Sequence, residues 1–157
     1  MEKLTRVPAK IEARSGENIL LHGTGFFYRI DESEAFVTNW HIVSGRSPTT
    51  LQPLHPSGAI PDHLRIAIPW WVKAGEQSAL QWRSVDYPLY DDPEFAKAVW
   101  WVHPSHGHAV DIAALDLNGA SETGLIAAND AGLDLNELRT APGHDAFTIG
   151  YPLGIYG

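Results

Sequence analysis

The segment 19–40 constrains the fold of this chain more than any other part of the sequence. Two apolar runs, Ile19–Ile30 and Ala35–Trp40, are separated by the polar residues 31–34. Apolar and aromatic runs joined by such turn residues predict a strand, a turn and a returning strand. The second run ends directly before His41. We therefore expect this imidazole at a strand end, where a rigid sheet holds it and solvent still reaches it.

Short apolar runs recur along the whole chain, and helical periodicity is weak. Eleven prolines and fourteen glycines suit many short strands and suit long helices poorly. Short helical turns are predicted only at His41–Gly45 and Pro93–Lys97. The pattern predicts an all-β fold, with further strands at Val7–Ala13, Leu64–Val72, Ala79–Val85, Ala98–Val102, Ile112–Leu117 and Ala146–Tyr151.

Composition excludes several classes of function. The 157 residues include no cysteine, which excludes disulfides, thiolate metal sites and a cysteine nucleophile. The net charge of −8 comes without any basic run, so neither a nucleic acid nor an anionic membrane is an expected partner. Charged residues are scattered through the first eighteen positions, so no secretory signal is predicted and a cytoplasmic location is expected.

A single carboxylate, Asp111, lies directly before the predicted strand Ile112–Leu117. A histidine that acts as a general base needs such a carboxylate, which fixes the imidazole tautomer and stabilises the imidazolium. Taken alone, His41 would be read as a surface residue and Asp111 as a turn or cap. Gly23 and Gly25 lack side chains, so neighbouring groups or substrate can approach the first of the two strands closely.

Three segments stand in order along the chain: Gly23-Thr24-Gly25-Phe26 with Val37-Thr38-Asn39-Trp40-His41-Ile42-Val43, Val110-Asp111-Ile112-Ala113-Ala114-Leu115, and 143–154. Together they resemble the trypsin-like serine peptidases, especially the disulfide-free bacterial kind related to Deg-type proteases. The resemblance implies a double β-barrel fold, in which His41 is the general base and Asp111 orients it. It also implies peptide-bond hydrolysis through an acyl-enzyme on a polypeptide substrate, without a cofactor. Trp40 departs from the digestive relatives, which have a small residue there.

The same resemblance divides the chain into three parts. Residues 1–117 are expected to form a nearly complete six-stranded first barrel that includes His41 and Asp111. Residues 118–143 are expected to link the barrels, and residues 144–157 to begin the second. The apolar, glycine-rich ending suggests a truncated chain that associates through its unpaired strand at 146–151.

The serine that the resemblance requires is missing. No serine of the chain lies in a Gly-x-Ser-Gly turn, and neither Ser47 nor Ser121 has the flanking glycines that build an oxyanion hole. We therefore expect a parent protein to supply the nucleophile, and the 157-residue chain to be catalytically inert.

Two other functions remain open from the sequence. The first is a non-catalytic module of the same fold that binds a peptide or protein. The second is a metal-dependent hydrolase built on His103, His106 and His108 with Asp111, although an exposed loop with incidental histidines is the simpler interpretation. In the pairs Trp70-Trp71 and Trp100-Trp101, alternation predicts one ring facing inward and the other outward.

Overall fold

The computed structural model describes residues 4–31, 33–74, 77–117, 124–130 and 149–151. Strands dominate, with one short α-helix, α1, at Trp40–Ser44. Single 3₁₀ turns lie at Leu4–Arg6, His108–Val110 and Ala128–Asp130. The strands are β1 (Pro8–Ser15), β2 (Asn18–Ile30), β3 (Ser33–Thr38), β4 (His63–Ala74), β5 (Gln77–Pro88), β6 (Trp100–Val102) and β7 (Ala113–Leu115).

The seven strands of the described residues form one antiparallel sheet in the order β5-β4-β1-β2-β3-β7-β6. The all-β prediction is therefore confirmed. The sheet is not closed among these residues, whereas a nearly complete six-stranded barrel was expected. Its edges, β5 and β6, approach each other only through an irregular segment with an isolated bridge between Tyr90 and Ala98. Most of the predicted linker 118–143 and half of the predicted strand at 146–151 lie outside the described residues.

The core lies on one face of the sheet because apolar side chains alternate along the strands. Ile11 of β1 pairs with Ile66 of β4, and both are fully buried. On the other side of β1, Gly25 of β2 leaves room for Phe36, since a Cβ at position 25 would lie 2.4 Å from the Phe36 ring. Phe36 packs edge-on against Phe27 at 5.2 Å between ring centroids. This packing joins β1, β2 and β3 beneath the end of the sheet where His41 lies.

The tryptophan pairs alternate as predicted. Trp70 and Trp100 pack against the core, whereas Trp71 is 54% exposed and Trp101 is 60% exposed. The inward rings therefore fill the core, and the outward rings lie on the surface.

The prediction of a helical turn at Pro93–Lys97 was wrong. The segment forms a turn in which the Asp92 carboxylate accepts the backbone N–H groups of Ala96 and Lys97. The bond from Ala96 is the largest cause that holds the pKa of Asp92 below its usual value. An aspartate side chain that accepts these donors competes with the helical backbone pattern. None of the helices in the described ranges is long and apolar enough to cross a membrane.

Candidate functional site

The pairing of β3 with β7 determines which chain segments meet at this end of the sheet. Thr38 pairs with Ala113 and Phe36 pairs with Leu115. In an antiparallel pair, the residues after one strand lie beside the residues before the other. The chain therefore continues from Thr38 into α1, next to the segment that enters β7 from Asp111.

His41 and Asp111 are in direct contact through two hydrogen bonds. The His41 Nδ1 atom lies 2.8 Å from Asp111 Oδ2, and the His41 backbone N–H donates to Asp111 Oδ1 over 2.9 Å. An ionised carboxylate only accepts hydrogen bonds, so a neutral imidazole bound to it in this way has its proton on Nδ1 and its lone pair on Nε2. The carboxylate thereby fixes both the tautomer and the orientation of the ring.

The pair is neither sealed in the core nor fully solvated. The His41 side chain is 32% exposed and the Asp111 side chain is 28% exposed. Among the described residues, no hydrogen-bond partner occupies His41 Nε2. This nitrogen can therefore accept a proton from a group that reaches the site from solvent.

Asn39 is a third member of the site, for which sequence reasoning predicted no role. Its Nδ2 amide lies 3.2 Å from the Asp111 carbonyl oxygen and 3.3 Å from Asp111 Oδ2. Asn39 occupies the N-cap position of α1 but makes no side-chain cap bond. An asparagine at a helix start usually caps the helix. Here the amide binds Asp111 instead, which only the tertiary structure reveals.

Asp111 adopts a left-handed backbone conformation, with φ 53° and ψ 38°. It follows the 3₁₀ turn His108–Val110, and its N–H donates to the His108 carbonyl over 2.9 Å. Aspartate tolerates this conformation better than most residues, at a cost of about 1 kcal/mol. The conformation allows one carboxylate to reach both the backbone N–H and the ring of His41.

Thr24 of β2 is hydrogen-bonded both to β3, close to the site, and to the last described residues. Its carbonyl accepts the Thr38 hydroxyl over 3.0 Å, and its own hydroxyl accepts the Tyr151 N–H over 2.8 Å. Beside it, a Cβ at Gly23 would lie 2.9 Å from Ile42 of α1. Gly23 therefore lets α1 lie against β2. The close approach that the sequence predicts at this glycine is made by the buried side chain of Ile42.

The other candidate residues lie elsewhere. Ser47 is in the loop after α1, where its hydroxyl accepts the N–H groups of Thr49 and Thr50. Ser121 lies outside the described residues. Within the described ranges, no serine hydrogen-bonds to His41.

The histidines of the loop before Asp111 do not come together as metal ligands. The His103 and His106 rings contact each other at 4.9 Å, whereas the His108 ring lies against Trp40 at 5.2 Å. In the part of the chain that the structure describes, no group of three or more potential ligands could hold a metal ion.

A groove of about 580 Å³ opens at the other end of β7. It is lined by residues at the ends of β5 and β7 together with Trp100 and Trp101, and it does not include His41 or Asp111. The groove and the histidine–aspartate pair are therefore separate features of the described surface.

Comparison with known proteins assigns no family to this geometry. No protein-family model matches the chain, and neither a curated protein nor a solved structure matches it.

Proposed function

We propose that this chain provides the base and the orienting carboxylate of a serine endopeptidase with a trypsin-like fold. The observation that supports the proposal most strongly is the two-point contact of Asp111 with the Nδ1 atom and the backbone N–H of His41. This contact orients the ring, and no hydrogen-bond partner occupies Nε2 among the described residues, which is the arrangement that a general base requires. The resemblance of the three ordered sequence segments is the second support.

In this proposal the two residues move one proton in each half of the reaction. His41 Nε2 takes the proton from a serine hydroxyl as the serine oxygen attacks the carbonyl carbon of a peptide bond. The imidazolium, stabilised by the Asp111 carboxylate, then gives this proton to the leaving amine. A water molecule repeats the sequence to release the acyl group and restore the serine. The serine and its oxyanion hole belong to a Gly-x-Ser-Gly segment that these 157 residues do not provide.

The double-barrel architecture is also part of the proposal. It is supported by contacts between the segments that extend the two edge strands. Val99, just before β6, donates its N–H to the carbonyl of Leu89, just after β5, over 3.1 Å. The isolated bridge between Tyr90 and Ala98 lies beside this bond. Such contacts are typical of a sheet that curls toward closure.

The test uses the protein produced from the complete reading frame that contains these residues. We expect a Gly-x-Ser-Gly serine in that frame, covalent labelling by a fluorophosphonate and hydrolysis of a denatured protein substrate. H41A should abolish both, and D111N should lower kcat by about 10⁴-fold, as in the template triad. H106A serves as the matched control, since His106 lies in the same loop and contacts His103 instead.

Two results would count against the proposal. The first is full turnover by H41A. The second is a complete protein with no serine in such a turn that binds peptides without cleaving them. This second result would establish instead the peptide-binding module of the same fold.

A further inference from the structure

The contact between the Trp40 and His108 rings links the two segments that bear His41 and Asp111. Their centroids are 5.2 Å apart and their planes are tilted by 39°. We infer that this ring contact positions the Asp111 carboxylate on His41, so that Trp40 and His108 are positioning residues of the site. The catalytic consequence rests on the function proposed above, but the geometric consequence does not.

Trp40 provides the fixed side of the contact. It is the first residue of α1, directly before His41, and its indole packs against the hydrophobic core. A ring held by core packing has little rotational freedom. Any group that stacks on this ring is therefore fixed relative to the backbone of His41.

His108 provides the loop side of the contact. It begins the 3₁₀ turn before Asp111, and its carbonyl accepts the Asp111 N–H. The other backbone bonds of this loop are local, from Gly107 to His103 and from Ala109 to His106. Local bonds shape the loop but do not attach it to α1. Besides the hydrogen bonds of Asp111 itself, the contact of the His108 ring with Trp40 joins this turn to α1.

The attachment matters because Asp111 is held in an unfavourable backbone conformation. Its φ of 53° persists only while the surrounding structure requires it. The Asn39 amide restrains it over 3.2 and 3.3 Å, longer than most hydrogen bonds of this kind. If the turn is released from Trp40, Asp111 can relax toward an extended backbone. That change would move the carboxylate away from Nδ1.

The experiment compares four single variants of the 157-residue chain, H108A, H108F, H106A and W40F, by proton NMR. An imidazole N–H bound to a carboxylate resonates at low field and exchanges slowly with water, which gives a direct signal for His41 Nδ1. H108A should increase the exchange rate of this proton by about two- to tenfold, because an aromatic pair of this kind contributes roughly that factor to an equilibrium. H108F should restore the slow exchange, since it keeps a stacking ring without imidazole chemistry. H106A should leave the signal unchanged.

Thermal unfolding and the amide spectrum of the sheet serve to separate positioning from folding. The inference predicts that H108A keeps both while losing the slow exchange. It is overturned if H108A leaves the His41 proton as in the unaltered chain, or if H106A accelerates its exchange as much as H108A does. W40F, which retains an aromatic ring on the core, should behave like H108F, and fast exchange in W40F with an intact fold would also contradict the inference.

The complete protein gives a second readout. There, H108A should lower kcat by about two- to tenfold with KM unchanged, because it disturbs a proton transfer and not substrate binding. If the complete protein lacks peptidase activity altogether, the proposed function fails while the NMR comparison still decides the positioning role.

Discussion

The end of the sheet that bears His41 and the long β4–β5 hairpin differ in what holds them together. The hairpin pairs two strands of twelve residues in one uninterrupted register, from His63–Pro88 to Ala74–Gln77. Near His41, β3 and β7 share only three paired residues. Their arrangement depends further on individual side chains, namely Asn39, Asp111 and the Trp40–His108 contact.

This difference shows where single substitutions have large effects. In the hairpin, backbone hydrogen bonds supply the geometry, so exposed side chains are exchangeable. At the site, each side chain makes a contact that its neighbours cannot replace. The core beneath the site is also tight, because Gly25 has no space for a Cβ between Phe36 and Ile11.

The largest effect is expected for Gly25→Val. A Cβ at this position would lie 2.4 Å from Phe36 and 2.9 Å from Ile11, so both core side chains must move. Overpacking of this kind costs about 1–3 kcal/mol or more in the free energy of unfolding. Urea unfolding measures it, with Ser84→Val on the exposed part of β5 as the control. Equal midpoints for the two variants would show that the two regions do not differ.

A smaller but more local effect is expected for Asp111→Asn. The loss of the charge-assisted bonds to His41 should lower the free energy of unfolding by about 1 kcal/mol, because both side chains are partly solvated. The asparagine amide can donate to Nδ1, which would move the ring proton of His41 to Nε2. Nitrogen chemical shifts of the His41 ring report this change of tautomer. Asp116→Asn, beyond the other end of β7, is the control, and a tautomer change there would argue against a specific role for Asp111.

Much of the fold was predictable from the sequence, because apolar and polar residues alternate along many of its strands. The observed strands β2, β3 and β4 begin and end within a few residues of the predicted runs. The closeness of His41 and Asp111 was expected only from the resemblance to the trypsin-like peptidases, because two residues just outside apolar strands need not be neighbours. The failure at Pro93–Lys97 has a local cause, because the Asp92 carboxylate replaces the backbone acceptors that a helix requires.

The supporting contacts of the site were not predictable. Asn39 and Trp40 were visible in the sequence, but their partners lie about seventy residues away in the chain. The left-handed conformation of Asp111, which lets its carboxylate reach both groups of His41, was likewise not visible in the sequence. Sequence patterns predict elements well, whereas side-chain contacts between distant loops depend on the final packing.

The smallest effect is expected for Arg65→Met in the hairpin. Arg65 donates two hydrogen bonds to Asp86 on the paired strand, over 2.7 and 2.8 Å, at an exposed position. Exposed ion pairs contribute little to stability because water and salt screen them. At neutral pH the urea midpoint of R65M should therefore stay close to that of the unaltered chain, and a shift as large as that of Gly25→Val would remove the contrast between the two regions.

The same variant should also change how the urea midpoint depends on pH, in a direction that the pKa of Asp86 determines. The hydrogen bonds from Arg65 are the largest cause that holds the pKa of Asp86 below its ordinary value. A carboxyl group with a lowered pKa in the folded state stabilises the fold above its unfolded pKa, and the contribution is lost as pH falls through the folded value. The midpoint of the unaltered chain should therefore decline more between neutral and acidic pH than that of R65M. If the two midpoints declined in parallel, the Arg65–Asp86 pair would make no measurable contribution to stability. The hairpin would then depend on its backbone hydrogen bonds and its buried face alone.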